Sequence, residues 1–199
     1  MYFQRLAAYL ILFLSLSGGF SLAAEAGGAP QIRPLVYLIM AVSSMGKTTQ
    51  GENLAKRLGV RFYEPDDFLG EANKKKIASG MALTDEDRWP WLDHLHEIIE
   101  KHLREGKQAV MACSALKRIY RQRLGIPNPK VQLIYLKGTL EMALANNRKR
   151  KGHFAPEQTV RNNFAVLEEP LPEENALVVP IDPTNSDLTF ERMVKGLGL

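Results

Sequence analysis

"LVYLIMAVSSMGKTTQGENLAKRLG", residues 35–59, decides the fold of this chain. It opens on a continuous apolar run, residues 35–40, of the kind found in strands buried on both faces. It closes on residues 48–58, where Leu54 and Leu58 keep helical spacing and Gly59 stops the helix. Between them, Ala41-Val42-Ser43-Ser44-Met45-Gly46-Lys47-Thr48 fits the phosphate-binding pattern G-x-x-x-x-G-K-[ST] at every fixed position but the first glycine. Alanine there adds one methyl group, a modest change. A strand, a loop and a helix in that order aim backbone N–H groups at phosphate oxygens ahead of a helix N-terminus. On this reading residues 41–49, through Thr49, cradle a nucleotide's phosphates. Lys47 reaches the β- and γ-phosphates, and the Thr48 hydroxyl ligates Mg²⁺. The plainer alternative is a turn carrying a solvated lysine.

The rest of the chain bounds the reading. Its 199 residues suit one domain with a sizeable core. The net charge of +4 is spread among acids, with local basic clusters at residues 117–123 and 148–151. That pattern favours a small anionic ligand and argues against nucleic acid as a partner. The single cysteine, Cys113, excludes an intramolecular disulfide and a cysteine-based metal site. Of the four histidines, His94, His96 and His102 share one expected helix, and none, His153 included, has a zinc spacing. Residues 1–26 have the layout of a secretory signal peptide: Arg5, an apolar run, then Ala24-Glu25-Ala26. A signal anchor is the rival reading, so membrane contact is expected only if this segment stays uncleaved. Residues 27–34 read as a linker, leaving 35–199 as the domain.

Further strand signals lie at "VRFY", "QAVMAC", "VQLIYLK" and "NALVVPI". Helical patterns fall over residues 71–79, 86–105, 115–124, 140–151, 157–167 and 188–195. In the second of these, Leu92, Leu95, Ile99 and Leu103 lie three or four apart and should face the core. The alternation predicts an α/β fold: a parallel sheet of about five strands with helices on both faces. Ligands of such sheets bind at the carboxyl ends of the strands, so the chemistry should follow Met40, Tyr63, Ala112 and Lys137.

After the second strand, Asp66 and Asp67 of "EPDDF" could orient a substrate hydroxyl, accept its proton or help hold Mg²⁺. The alternative is an Asx-type cap on the helix that starts near Glu71. After the third strand, Ser114 is placed to cap a helix. Lys117 and Arg121 lie one turn apart and could bind an anionic substrate, unless they form a solvated basic face. Cys113 reads as a small buried residue rather than a nucleophile. The helix ending "NNRKRKGHF" places Arg148 and Arg150 before a Gly-His-Phe turn. A lid there could deliver arginine to a transferring phosphoryl group; the alternative is a helix end that favours basic residues through its dipole.

From Val36 onward the chain resembles the small P-loop gluconokinases, relatives of the shikimate and adenylate kinases. The resemblance rests on "FYEPDDF", "EANKKKIASGMALTDEDRWPWL", "CSALKRIYRQRL", "IYLKG", "RKGHF" and "VLEEP", in that order. It implies a three-layer P-loop kinase fold with a small lid, and ATP-dependent phosphorylation of D-gluconate at its primary alcohol to 6-phospho-D-gluconate. It implies that Lys47 and Thr48 serve ATP and Mg²⁺. Asp66 becomes the hydroxyl-orienting acid or general base and a candidate Mg²⁺ ligand, with Asp67 beside it. Arg88 becomes a substrate-side arginine. Lys117 and Arg121 become contacts for the gluconate carboxylate or the phosphates, while Arg150 and His153 belong to the lid. Trp89 and Trp91 read as core and wall. By analogy the resemblance also implies a homodimer and a cytoplasmic location, against the secretory look of the leader.

The chain departs from the family's pattern at several places. A typical loop reads "GVSGSGKST", so Ala41, Ser44 and Met45 replace two glycines and a small residue. Pro65, Leu69 and Gly70 replace Gly, His and Pro, Asn146 stands for an arginine, and Asn163 for a glutamine. Ser44 must either adopt the positive φ normally given to glycine or shift the loop. These changes keep two further readings in view: a kinase of another small sugar acid or polyol, and a nucleotide-binding protein with little catalysis.

Overall fold

The computed structural model describes residues 33–149 and 156–199. The first strand, β1 (Val36–Met40), is buried along its whole length. Its side chains alternate between two cores, Tyr37 and Ile39 in one, Val36, Leu38 and Met40 in the other. Burial on both faces is why the run is apolar throughout rather than alternating. β2 (Arg61–Tyr63), β3 (Ala109–Cys113), β4 (Val131–Lys137) and β5 (Leu177–Pro180) complete a parallel sheet in the order β2-β3-β1-β4-β5. Val36 pairs with Ala109 on one side and Val131 on the other, so β1 is central. The loop that leaves Met40 therefore emerges where the strand order reverses, the usual ligand position in an open α/β sheet.

Helices cover both faces, as the alternation of patterns predicts. On one side α1 (Lys47–Leu58), α5 (Leu140–Lys149), α6 (Glu157–Ala165) and α7 (Ser186–Leu197) bury Leu54, Leu144, Val160 and Met193. On the other, α3 (Asp85–Glu105) and α4 (Arg118–Arg123) bury Leu92, Leu95, Ile99, Tyr120 and Leu124, with Leu103 half-buried beside them. The short α2 (Glu71–Ala78) has no buried residue. α3 begins with a capping box: the Asp87 N–H donates to Thr84 Oγ1 at 3.2 Å and the Thr84 N–H to Asp87 Oδ2 at 3.0 Å. This fixes the register of Asp85 and Arg88, which matter below.

Two local expectations are corrected. α4 starts three residues later than its pattern suggests, and Ser114 does not cap it; Lys117 is its N-cap. The cause is that Ala115 has φ 44°, and that the Ala115 and Leu116 carbonyls both accept hydrogen bonds from the Arg121 guanidinium, each at 3.1 Å. Asp66 and Asp67 are not helix caps either. They sit in their own 3₁₀ turn, Pro65–Phe68, and Gly70 is the N-cap of α2.

The signal-like segment 1–26, residues 27–32 of the linker, and the lid residues Arg150 and His153 lie outside the described residues. Among the described residues no helix is long and apolar enough to cross a membrane.

Candidate active site

The loop after β1 is built into the core. Ala41, Val42, Ser44 and Met45 are buried, and Gly46 takes φ 80° as the N-cap of α1. Ser44 takes φ 66°, the left-handed conformation its family counterpart would meet with glycine. For a serine this costs about 1 kcal/mol or more. Side chains from α5 and α6 hold it there. Ser44 Oγ donates to Asn147 Oδ1 at 3.0 Å, Asn146 Nδ2 donates to the Ser44 carbonyl at 3.2 Å, and Asn163 Nδ2 donates to Ser43 Oγ at 2.7 Å. Met45 fits because Gly138, just past β4, has no side chain; a Cβ there would lie 2.0 Å from Met45 Cε.

Lys47 folds back over the loop, its ammonium donating to the Val42 carbonyl at 3.2 Å. α1 has no acidic residue in its first turn and, among the described residues, no side-chain cap. Its first N–H groups and its positive dipole end are therefore presented to the loop, as an anion site requires. Thr49 is exposed in the same turn.

The Thr48 hydroxyl donates to Glu64 Oε2 at 2.7 Å. Glu64 is the first residue beyond β2, and sequence reasoning passed over it in favour of Asp66 and Asp67. Burial pushes its carboxyl above the usual range. The Thr48 hydrogen bond pulls the other way, the Asp66 charge adds to the rise, and the Lys47 charge opposes it. Asp66 and Asp67 are exposed. Their turn is pinned to α3 by Trp91, whose indole N–H donates to the Pro65 carbonyl at 2.9 Å.

β3 ends at Cys113, whose buried thiol is pushed up to about 12 by desolvation and also feels the charges of Lys47, Asp66 and Arg88. Charges from three elements are thus felt at this strand end, while the thiol stays neutral and inert as a nucleophile at ordinary pH.

Beyond them lies a second polar group. Lys117 Nζ donates to Asp85 Oδ1 at 2.7 Å, and the Tyr120 hydroxyl donates to the same oxygen. Those bonds, Lys117's first, hold the Asp85 carboxyl below its usual range. The Arg88 guanidinium lies 5.4 Å from the Tyr120 ring centroid and the Lys117 ammonium 5.5 Å from it. Tyr120 is therefore a platform that gathers two cations. Arg88 Nε is buried without a hydrogen-bond partner among the described residues. Trp89 packs edge-on against the same ring, with centroids 5.8 Å apart, and both Trp89 and Trp91 are partly buried against the core beneath α3 and α4.

Arg121 is the correction. It is fully buried, and its Nε and Nη2 bind Glu174 at 2.6 and 2.9 Å. Its Nη1 donates to the carbonyls of Ala115, Leu116 and Glu168. Every guanidinium nitrogen is occupied, so Arg121 ties the segment after α6 to α4 and presents no open nitrogen to a ligand. The residues that sequence reasoning missed are Glu64, Asp85, Tyr120 and Asn147. Only Glu64 carried a local signal, as an acid directly at a strand end.

A central strand opening through a phosphate-type loop into a helix, with acids and cations at the neighbouring strand ends, defines a P-loop kinase of small molecules. A family model described as shikimate kinase matches residues 43–196, and a probable gluconokinase of Mus musculus is 38% identical over 173 residues, spanning 78% of this chain and 94% of the relative. The chain belongs to the gluconokinase family of P-loop kinases. The thermoresistant gluconokinase of Escherichia coli strain K12 is 38% identical over 148 residues, covering 74% of this chain and 85% of that protein. The crystal structure of a gluconokinase from Sinorhizobium meliloti 1021 superposes with a TM-score of 0.74 at 30% identity, covering 83% of this chain and 92% of that one.

Proposed function

We propose that this chain transfers the γ-phosphoryl group of ATP to the primary alcohol of D-gluconate, giving ADP and 6-phospho-D-gluconate. The observation that carries the reading is the convergence at the sheet's carboxyl edge. The Thr48–Glu64 pair and Lys47 lie on the loop side, and Asp66, Arg88 and Lys117 on the acceptor side.

In this reading residues 41–49 and Lys47 hold the phosphates. Asp66, exposed at its turn, orients the C6 hydroxyl and takes its proton. The hydroxyl oxygen forms the new P–O bond as the bond to the ADP oxygen breaks. Arg88 and Lys117 receive the gluconate carboxylate, with Asp85 releasing Lys117 as the substrate arrives. Asp67 lines the same turn. Arg150 and His153 are assigned to the lid on the resemblance alone.

The donor set suits Mg²⁺. A hydroxyl and a carboxylate oxygen 2.7 Å apart face the phosphate loop, and Mg²⁺ in phosphoryl-transfer sites takes one or two protein oxygens plus phosphates and water. Among the described residues no cluster of three or more His, Cys, Asp or Glu could form a full protein cage. Thr48 and Glu64 are thus the residues that would hold the ion, with Asp66 the further candidate that the resemblance offers. A bound Mg²⁺ neutralises charge on the β- and γ-phosphates.

The test is gluconate-dependent ADP formation by the purified protein, lost in Lys47→Ala. ATP binding without turnover on gluconate would count against the reading, and a panel in which another sugar acid or polyol is the better acceptor would reassign the substrate. The homodimer and the cleaved leader rest on resemblance and pattern only. Light scattering tests the first, and N-terminal sequencing of the mature protein tests the second.

A further inference from the structure

We infer that Asn146, Asn147 and Asn163 are positioning residues that aim the phosphate loop, acting as an amide latch from α5 and α6. The inference rests on the reading of that loop as the ATP site. Three hydrogen bonds reach residues 43–44 from sequence separations of 102, 103 and 120 residues. They fall on the one stretch of the loop that holds a non-glycine residue at positive φ.

The geometry gives each bond a distinct task. In a planar trans peptide the carbonyl and the following N–H point in opposite directions. Asn146 anchors the Ser44 carbonyl on α5, which turns the Met45 N–H away from α5. Among the described residues that N–H has no hydrogen-bond partner, so it is available to a phosphate oxygen. Asn147 accepts from the Ser44 hydroxyl and holds the residue in its left-handed well. Asn163 fixes Ser43 one residue earlier. α5 and α6 are themselves joined by the Arg148–Glu157 ion pair, Nε to Oε1 at 2.6 Å. A loop with glycine at position 44 would need no such support, since glycine visits this conformation without steric cost. Ser44 is buried, so solvent does not compete for these bonds.

The latch predicts a coupling between two positions. ATP dissociation constants and KM values for ATP and gluconate would be measured for the wild type, Asn146→Ala, Ser44→Gly and the double variant. Asn146→Ala is expected to weaken ATP binding about fivefold, the effect of one lost hydrogen bond, while leaving the gluconate KM within about twofold. In the Ser44→Gly background the same substitution should cost less than about twofold, because glycine needs no latch. Asn163→Ala, on a different helix, repeats the measurement if Asn146→Ala fails to fold. Equal losses in both backgrounds, or a loss shared equally with gluconate, would overturn the latch. A wild-type chain that binds no ATP overturns the ATP reading and the latch together. A chain that binds and turns over normally but shows no coupling overturns the latch alone.

Discussion

Lys117, the N-cap of α4, and Arg121, one turn into the helix, meet opposite fates. Lys117 has a side chain 29% exposed and shares Asp85 with Tyr120. Arg121 has no exposed surface and is saturated by Glu174 and three carbonyls. Two other carboxylates, Glu174 and Glu64, show a related contrast. Burial would raise the Glu174 carboxyl, but hydrogen bonds from Arg121 and the Leu171 N–H outweigh it and hold it below its usual range. Glu64 has the Thr48 hydroxyl and a backbone hydrogen bond from Asp66, too little to offset its burial, and stays above its usual range. A buried charge with every partner in place holds the fold, and a charge left short of partners is the one a ligand can use.

The sharpest way to break this contrast is Arg121→Met. Leaving Glu174 buried and unpaired should cost about 3–5 kcal/mol in denaturant unfolding, and a compensating Glu174→Leu should recover most of it. A loss under about 1 kcal/mol would show that Arg121 is not the clamp described. Glu64→Gln should act the other way. Turnover should fall by about 100-fold, the scale of losing one electrostatic contact to the transferring group. Stability at neutral pH should hold or rise, because a carboxylate disfavoured by burial is removed.

The pH dependence separates the same two groups. Glu174 has a folded pKa below its unfolded value, so its contribution is complete above the unfolded value and is lost as pH falls through the folded one. Acid should therefore weaken the wild type, and less so a Glu174→Gln variant already short of that contribution. Glu64 has a folded pKa above its unfolded value. In the metal-free protein it should take up its proton at a pH above that of an ordinary carboxylate while the fold is still intact, and bound Mg²⁺ should lower that pH. Coincident protonation and loss of near-UV dichroism would contradict this.

Lys117→Met should raise the gluconate KM about tenfold or more, from a lost charge-assisted hydrogen bond, with unfolding unchanged to within about 1 kcal/mol. The smallest effect belongs to Thr84→Ala. It removes a helix cap worth about 1 kcal/mol and loosens the start of α3, which presents Asp85 and Arg88. A modest loss of stability should come with a raised gluconate KM and an unchanged KM for ATP.

The β1–loop–α1 unit was legible because three local signals agree: an apolar run, the Gly46-Lys47-Thr48 triplet and a glycine stop. Even the backbone of Ser44 could be anticipated, since a serine standing where glycine is usual must bear the glycine's conformation. Arg121 was not legible, because its partner lies 53 residues away in a turn that no local pattern marks. For the same reason the start of α4 was placed too early: the carbonyls that would begin a helix were already taken by that guanidinium. Asn146 and Asn163 stood out only as departures, and their destination on the loop required the fold.

The two tryptophans of the chain both stand beside residues we assign to the acceptor. Trp89 packs edge-on against the Tyr120 ring that Arg88 and Lys117 also approach, and Trp91 hydrogen-bonds the backbone of the turn that carries Asp66. Neither touches the phosphate loop in any hydrogen bond or ring contact among the described residues. The protein thus carries its own optical probe. Its ultraviolet emission should respond when the acceptor settles and stay quiet when nucleotide alone binds, which allows the order of substrate binding to be followed without a label.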